Sequence, residues 1–263
     1  MRLVLTLISA AALLAACGDG EVLVSDADTG DEQGGPLKVV QSLQCPQAEG
    51  SLTRKGTASA DGMTCTYLGP RGSEVVLTLV KLDGREPKAV LDDLERRLGA
   101  EMPQATARLA SIAAEKNAER AAEASAEARA DGARASGDRA NISMPGLSIQ
   151  ADDSQASLQI GPIKIDAQDE SADINISSGD ATVSVQAHED VAEVRTQAMG
   201  SGVRASYILA HDDPAPGGLR MVGYQARGPQ TGPLVVATVR SKDRESDGLM
   251  DDAEALVELN AGE

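Results

Sequence analysis

Aromatic side chains are almost absent from this sequence, which has no Phe, no Trp and only three Tyr: Tyr67, Tyr207 and Tyr224. Proteins often bind bases and sugars by stacking them on aromatic rings, so recognition of that kind is largely excluded. Basic residues are also in the minority, because 24 Lys and Arg stand against 41 Asp and Glu, for a formal net charge of -17. Nucleic acid is excluded as a partner, since phosphate binding needs a basic face.

The common catalytic motifs are missing as well. The sequence contains no G-x-S-x-G, H-E-x-x-H, G-x-x-x-x-G-K-[ST] or G-x-G-x-x-G pattern. Its two imidazoles, His188 and His211, each precede two carboxylates, and polar loops explain that arrangement more simply than metal ligands do. The balance is therefore towards a protein without enzymatic activity. A hydrolase built on paired acids is the enzymatic alternative, with Asp92/Asp93 and Asp251/Asp252 as its candidates.

The N-terminus carries a targeting signal. Arg2 precedes a nearly continuous apolar run over residues 3–13, which is too short to span a bilayer but fits the core of a signal peptide. The run ends in Leu14-Ala15-Ala16-Cys17, which resembles the lipobox of bacterial lipoproteins. That resemblance implies that residues 1–16 are removed and that the Cys17 thiol carries lipid, which anchors the chain in the membrane. Gly18, where enteric inner-membrane lipoproteins have Asp, favours the outer membrane.

The next segment, 17–36, is rich in Gly and acidic residues and has no basic residue. Such a composition predicts a self-repelling tether between the lipid and the folded part. Apart from the lipidated residue, the remaining cysteines are Cys45 and Cys65. Since the periplasm is oxidising, we expect them to form a structural disulfide.

Two segments share one order of elements. Residues 37–99 predict a disulfide-containing module, with strands over 51–57, 63–68 and 74–82 and a helix that begins at Pro87. Residues 191–263 predict strands over 203–210, 219–226 and 234–240 and a helix over 249–259. A constant offset of 159 places Gly69-Pro70 on Gly228-Pro229 and aligns thirty residues without a gap, nine of them identical. The sequence therefore predicts an α+β fold with duplicated strand–strand–helix modules, at about 51–98 and 203–259, packed together.

The residues between the two modules are predicted to be an insert. Residues 100–141, rich in Ala, Glu and Arg, predict a solvent-exposed helix that fades into a connector. Residues 142–190 return to alternating apolar and polar positions and fall into three hairpin-like units, each ending in a pair of acidic residues. Alternation of this kind is typical of strands that bury one face.

One motif suggests a metal. The segment from Asp243 to Glu254 has the spacing of an EF-hand calcium loop, with Gly248 at the sharp turn. Its oxygen ligands would be Asp243, Glu245, Asp247, Asp251 and Glu254. Two features differ from the motif, namely Glu at the third position and a predicted strand in place of the first helix. The alternative is that Ser246 or Asp247 caps a helix whose first turn is acidic. No other cofactor is expected.

These observations favour a lipid-anchored protein of the cell envelope, with the outer membrane favoured over the inner membrane. It would be a non-enzymatic binding or assembly module with an envelope protein as its partner. Two alternatives stay open: a structural surface protein, stabilised by calcium or built on the β-repeats, and the carboxylate-based hydrolase.

Overall fold

The computed structural model describes residues 37–130, 140–144, 147–152, 155–160, 163–168, 171–244 and 248–262. The predicted signal peptide (1–16), the lipidation site Cys17 and the tether (17–36) lie outside these residues. The described part belongs to one compact unit that extends from Gly34 to Glu263. Within it, none of the helices combines the length and the apolar character needed to cross a lipid bilayer.

The described strands form one antiparallel sheet. They are β1 Ala48–Glu49, β2 Leu52–Arg54, β3 Thr64–Leu68, β4 Glu74–Val80, β5 Ala140–Met144, β6 Leu147–Asp152, β7 Gln155–Ile160, β8 Ile163–Gln168, β9 Ser171–Ser178, β10 Ala181–His188, β11 Val191–Ala198, β12 Val203–His211, β13 Met221–Gly228 and β14 Leu234–Ser241. Their spatial order is β1-β2-β3-β4-β14-β13-β12-β11-β10-β9-β8-β7-β6-β5. The sheet thus consists of two meanders, β1–β4 and β5–β14, whose last strands pair with each other.

Strand β4 shows why these residues form a sheet. Its seven residues alternate between buried and half-buried positions, the period-two pattern of a strand whose faces differ. The register with β14 places Val75 opposite Val239 and Leu79 opposite Val235. All four side chains are buried, and each contributes about 1.5–3 kcal/mol through removal from water. The junction of the two meanders is therefore an apolar part of the sheet.

Three described helices cover this sheet from both sides: α1 Pro87–Glu101, α2 Pro103–Ala130 and α3 Leu249–Ala261. On one side, Leu91 and Leu98 of α1 pack with Val236 in one buried cluster. On the other side, Leu256 of α3 packs with Leu77 in a second cluster. The molecule therefore has two cores, one on each face of the same sheet.

The predicted α+β fold of two modules, at about 51–98 and 203–259, packed around an insert, is wrong. Strand pairing continues without interruption from β14 to β5, so the strands of the supposed insert extend the common sheet. The aligned positions also face opposite sides, since Leu77 packs towards α3 whereas its counterpart at the offset of 159, Val236, packs towards α1. Similar local sequences here serve opposite faces of a sheet, which a gapless alignment does not reveal.

The contacts of helix α2 explain why it has few large apolar residues. Only its first part is apolar towards the sheet, where Ala105 and Ile112 are buried. Between and beyond these two residues, Arg108 lies 3.2 Å from Asp190 and Lys116 pairs with Asp173. Both partners belong to the β9–β11 region, so α2 rests on a polar sheet face through charge pairs. This helix therefore needs no long apolar stripe.

The expected disulfide is confirmed. Cys45 and Cys65 are bonded, with their Cα atoms 6.3 Å apart. The bond ties the segment before β1 to β3, and Cys65 is buried in the core beneath α3. It closes a loop in the part of the sheet where the strands are shortest.

We predict that the double variant Cys45→Ser/Cys65→Ser is less stable by about 3 kcal/mol, because the bond restricts the unfolded chain across a loop of this size. The sequence separation is 20. Urea denaturation followed by circular dichroism measures the change. Reducing agent should lower the stability of the native chain by the same amount and leave the variant unchanged. Equal stability of both proteins under oxidising conditions would contradict the prediction.

Candidate functional site

A groove lies on the side of the sheet covered by α1 and α2. Its volume is about 760 Å³, which is within the range of small-molecule sites. It is lined by residues of those two helices and of β11 and β12. We call it the polar groove. Its residues are Lys88, Asp92, Glu95, Arg96, Gly99, Ala100, Pro103, Thr106, Glu193, Arg195, Gln197 and Tyr207.

Regular secondary structure positions the central residues of the polar groove. Glu95 follows Leu91 by four residues and precedes Leu98 by three, so it lies on the buried face of α1. Glu193 and Arg195 are two residues apart on β11 and therefore share a face. Arg195 stands directly opposite Tyr207 on β12, and Tyr207 stands opposite Tyr224 on β13. A cross-strand row of polar side chains thus meets a glutamate from the helix above it.

These groups form one hydrogen-bonded network. Tyr224 Oη donates to Glu95 Oε1 at 2.9 Å, and Arg195 Nε donates to Glu95 Oε2 at 2.8 Å. The same guanidinium donates from Nη2 to Glu193 Oε1 at 3.2 Å, and Tyr207 Oη donates to that oxygen at 3.0 Å. Arg195 also lies over the Tyr207 ring, 5.4 Å from its centroid. Both oxygens of the buried Glu95 therefore have a donor.

The network fixes its protonation states. Burial raises the pKa of Tyr207, and the neighbouring Glu193 raises it further. Burial raises the pKa of Tyr224 in the same way, with Glu95 adding to it. For Arg195, burial lowers the pKa, but Glu193 and Glu95 outweigh it and leave the pKa above its usual range. The tyrosines therefore stay protonated and the arginine stays charged well above neutral pH, so all three act as hydrogen-bond donors in the network.

The two acid pairs proposed for a hydrolase, Asp92/Asp93 and Asp251/Asp252, lie on opposite sides of the sheet and do not form a common site. Asp92 pairs with Lys88 at 2.9 Å, and Asp93 pairs with Arg85 and Arg96, which hold the pKa of Asp93 below its usual value. The other pair lies on α3, on the opposite side of the sheet, where Asp252 accepts a hydrogen bond from the Ser51 amide at 2.8 Å.

The predicted calcium loop is described only in part, because Glu245 and Asp247 lie outside the described residues. Asp243 pairs with Arg71, Glu254 pairs with Arg227, and Asp251 is exposed. Among the residues that the structure describes, no three His, Cys, Asp or Glu side chains form a group that could hold a metal. The N-cap of α3 is Gly248, with φ 78°, instead of Ser246 or Asp247. Calcium binding here stays a prediction.

Both histidines end strands, whereas the sequence suggested polar loops. His211 is buried at the end of β12 and its Nδ1 accepts a hydrogen bond from the Asp213 amide at 2.9 Å. Its Nε2 lies 3.7 Å from Asp190. His188 ends β10, with Nε2 4.0 Å from Asp173. The two acids that follow each histidine in sequence did not indicate this burial.

The network around Glu95 was missed by motif searching, because it is assembled from three strands and a helix. One signal was present in the sequence. Glu95 interrupts the apolar face formed by Leu91, Leu94 and Leu98 of α1, and a charged residue in such a position needs a buried partner. That partner, Arg195, is 100 residues away in the sequence. The sequence alone does not identify it, because the pairing depends on the topology of the sheet.

We predict that Tyr224→Phe lowers the free energy of unfolding by about 1.5 kcal/mol, since it removes a hydrogen bond to a charged acceptor. Tyr67→Phe is the matched control. The Tyr67 hydroxyl is buried without a hydrogen-bond partner in the described part of the protein, so its removal should not destabilise the chain. Urea denaturation measures both variants. Equal losses in the two would show that the network contributes nothing specific.

We also predict a pH dependence from His188. Burial lowers its pKa from 6.5, and Lys116 and Arg108 lower it further against the opposite effect of Asp190. The folded chain keeps this imidazole neutral while the unfolded chain takes up a proton. The associated stability is present above about pH 6.5 and is lost as the pH falls towards the lower folded value. The melting temperature of His188→Gln should therefore decline less steeply below pH 6.5 than that of the native chain. Parallel curves for the two proteins would contradict this.

Comparison with known proteins assigns no family to the chain. No protein-family model, no curated protein and no solved structure matches it. Its function must therefore be argued from its own residues and geometry.

Proposed function

We propose that this chain is a lipid-anchored protein of the bacterial cell envelope that binds a partner protein through the polar groove and has no enzymatic activity. The observation that carries the binding role is the network around Glu95. Its buried carboxylate accepts a hydrogen bond on each oxygen. These bonds hold Arg195 in a fixed position in the groove, which suits binding, and they leave the carboxylate no free position for proton transfer to a substrate. The anchor rests on the lipobox-like Leu14-Ala15-Ala16-Cys17.

The rim of the groove favours a polar partner. Lys88, Arg96 and Asp92 belong to α1 at its edge, and the side chains of Lys88 and Arg96 are 64% and 72% exposed. Charges at a rim affect encounter and orientation more than affinity. Arg195 and Tyr207, which lie deeper, are of the residue types that most often dominate binding energy. A polypeptide loop with both acidic and basic groups fits this arrangement.

The tether would let the groove reach such a partner. The acidic, Gly-rich composition of residues 17–36 predicts a tether with an average reach of roughly 25 Å. Repulsion between the acidic folded part and anionic lipid would keep the groove away from the membrane surface. The outer membrane is the proposed location, following the resemblance at Cys17 and Gly18.

A second candidate is a structural role at the cell surface. It is favoured by the strands β5 to β10, which pair one after the other and lengthen the sheet well beyond the two cores. The strand at the end of this sheet, β5, is an edge strand, and an edge strand presents backbone N–H and C=O groups with which another chain can pair. The two candidates concern different parts of the molecule.

We predict that a photoreactive amino acid in place of Thr106, an exposed residue lining the groove, yields one reproducible crosslinked protein in intact cells. The same amino acid in place of the exposed Lys55, which lies outside the groove, is the matched control. Crosslinking should fail at Lys55, because contact is confined to the groove. Mass spectrometry of the purified adducts identifies the partner.

The anchor is tested in the same cells. Cys17→Ser should abolish incorporation of labelled fatty acid and remove the Thr106 adduct, since the chain would no longer be held near its partner. Identical adducts at Thr106 and Lys55 would contradict binding in the groove. Retention of label by Cys17→Ser would contradict the lipid anchor at Cys17 but would not contradict binding in the groove.

A further inference from the structure

Strands β9, β10 and β11 have one polar and one apolar face. On the side of the sheet where α3 lies, Ile176 stands opposite Val183, and Ile174 stands opposite Val185, which is opposite Val194 on β11. These five side chains are half-buried. The residues between them, such as Asn175 on β9, are polar and belong to the other face.

Two cross-strand rows, one through Ile176 and Val183 and the other through Ile174 and Val185, continue towards β5. Ile163 stands opposite Ile176, and Ile165 stands opposite Ile174. Leu158 on β7 is in turn opposite Ile165. From β5 to β11, the register positions of this face hold Ala, Ile, Leu, Val and Met, with Ser and Thr near the ends of the strands and no charged residue. We call this surface the apolar face.

The two sides of these strands are treated differently by the rest of the chain. Helix α2 reaches the polar side, where Lys116 pairs with Asp173 and Arg108 pairs with Asp190. Helix α3 packs on β13 and β14. A groove of about 350 Å³, lined by Val183 of β10 and by Arg204, Arg227 and Glu254, lies between α3 and the apolar face. No helix of the described residues packs on the apolar face beyond this groove.

We propose that the apolar face is covered by the apolar face of a second copy of this chain, in a two-fold symmetric β-sandwich. The charge of the protein selects this occupant. With a net charge of -17, two copies repel each other through most surfaces, whereas this face is uncharged. A two-fold contact places a patch against itself, and a neutral apolar patch is complementary to itself.

The area is sufficient for such a dimer. Seven strands about 4.8 Å apart, with three register positions each, give a footprint of roughly 34 by 17 Å. Two copies then bury a total above the roughly 1,000 Å² that a specific interface should exceed. Sheets stacked in this way lie about 10 Å apart. This inference concerns a different face from the polar groove and does not depend on the partner proposed there.

Sedimentation equilibrium of the polypeptide from Gly18 to Glu263, which retains the whole compact unit beginning at Gly34, tests the proposal. We expect a monomer–dimer equilibrium. Val185→Lys should weaken the dimer by roughly 100-fold, because it buries an unpaired charge at the interface. Gln186→Lys adds the same charge to the opposite face of the same strand and should leave the dissociation constant unchanged.

A second substitution covers the case in which Val185→Lys does not fold, as judged by circular dichroism. Ala181→Lys lies on the same face at the start of β10, where the strand tolerates change more readily, and it should also weaken the dimer. A native chain that is monomeric at every concentration overturns the proposal, as does a dimer insensitive to both lysines. Binding of phosphatidylcholine vesicles by a monomeric native chain, lost in Val185→Lys, would overturn it in favour of a lipid surface.

Discussion

The pairing of β4 with β14 is the contact on which the described structure depends. One meander ends in β4 and the other ends in β14, and the sheet order brings them together only there. Val75, Leu79, Val235 and Val239 are buried at this junction, so its stability comes from apolar contact as well as from hydrogen bonds. Because β14 is separated from β4 by more than 150 residues, the chain must close a large loop before the pair can form, which costs conformational entropy. The disulfide reduces that cost only within the first meander.

The same junction determines which face each helix covers. After β4 the chain crosses as α1 to the side where Glu95 meets Arg195 and Tyr224, and after β14 it crosses as α3 to the other side. A sheet covered on both faces must bury residues at successive positions, and β13 and β14 do so, with buried patterns that barely alternate. The polar groove lies on the neighbouring strands β11 and β12, beside this thoroughly packed part of the sheet. Its residues are held by rigid elements, as preorganised binding surfaces require.

Local patterns in the sequence predicted local structure well. The alternation in Glu74–Val80 predicted a strand, and Pro87 marked the start of α1. The oxidising compartment implied by the N-terminus predicted the bond between Cys45 and Cys65. The global arrangement was not predictable in this way. Leu77 and Val236 occupy equivalent positions in the sequence alignment but pack towards opposite helices, because a strand's neighbours decide which of its faces is covered. The partnership of Glu95 with Arg195 depends on the same long-range order.

The strands from β5 to β11 have a different design. All of their charged residues occupy register positions on the side that α2 approaches, and the register positions of the other side hold none. In a monomer this costs free energy, since side chains such as Val183 and Val185 are only half-buried and stay in contact with water. The cost is offset if that surface contacts the same surface of a second copy. The acidity of the rest of the chain then limits assembly to that face. Net charge and an uncharged face thus act together: the first suppresses unspecific association, and the second specifies where two chains can meet.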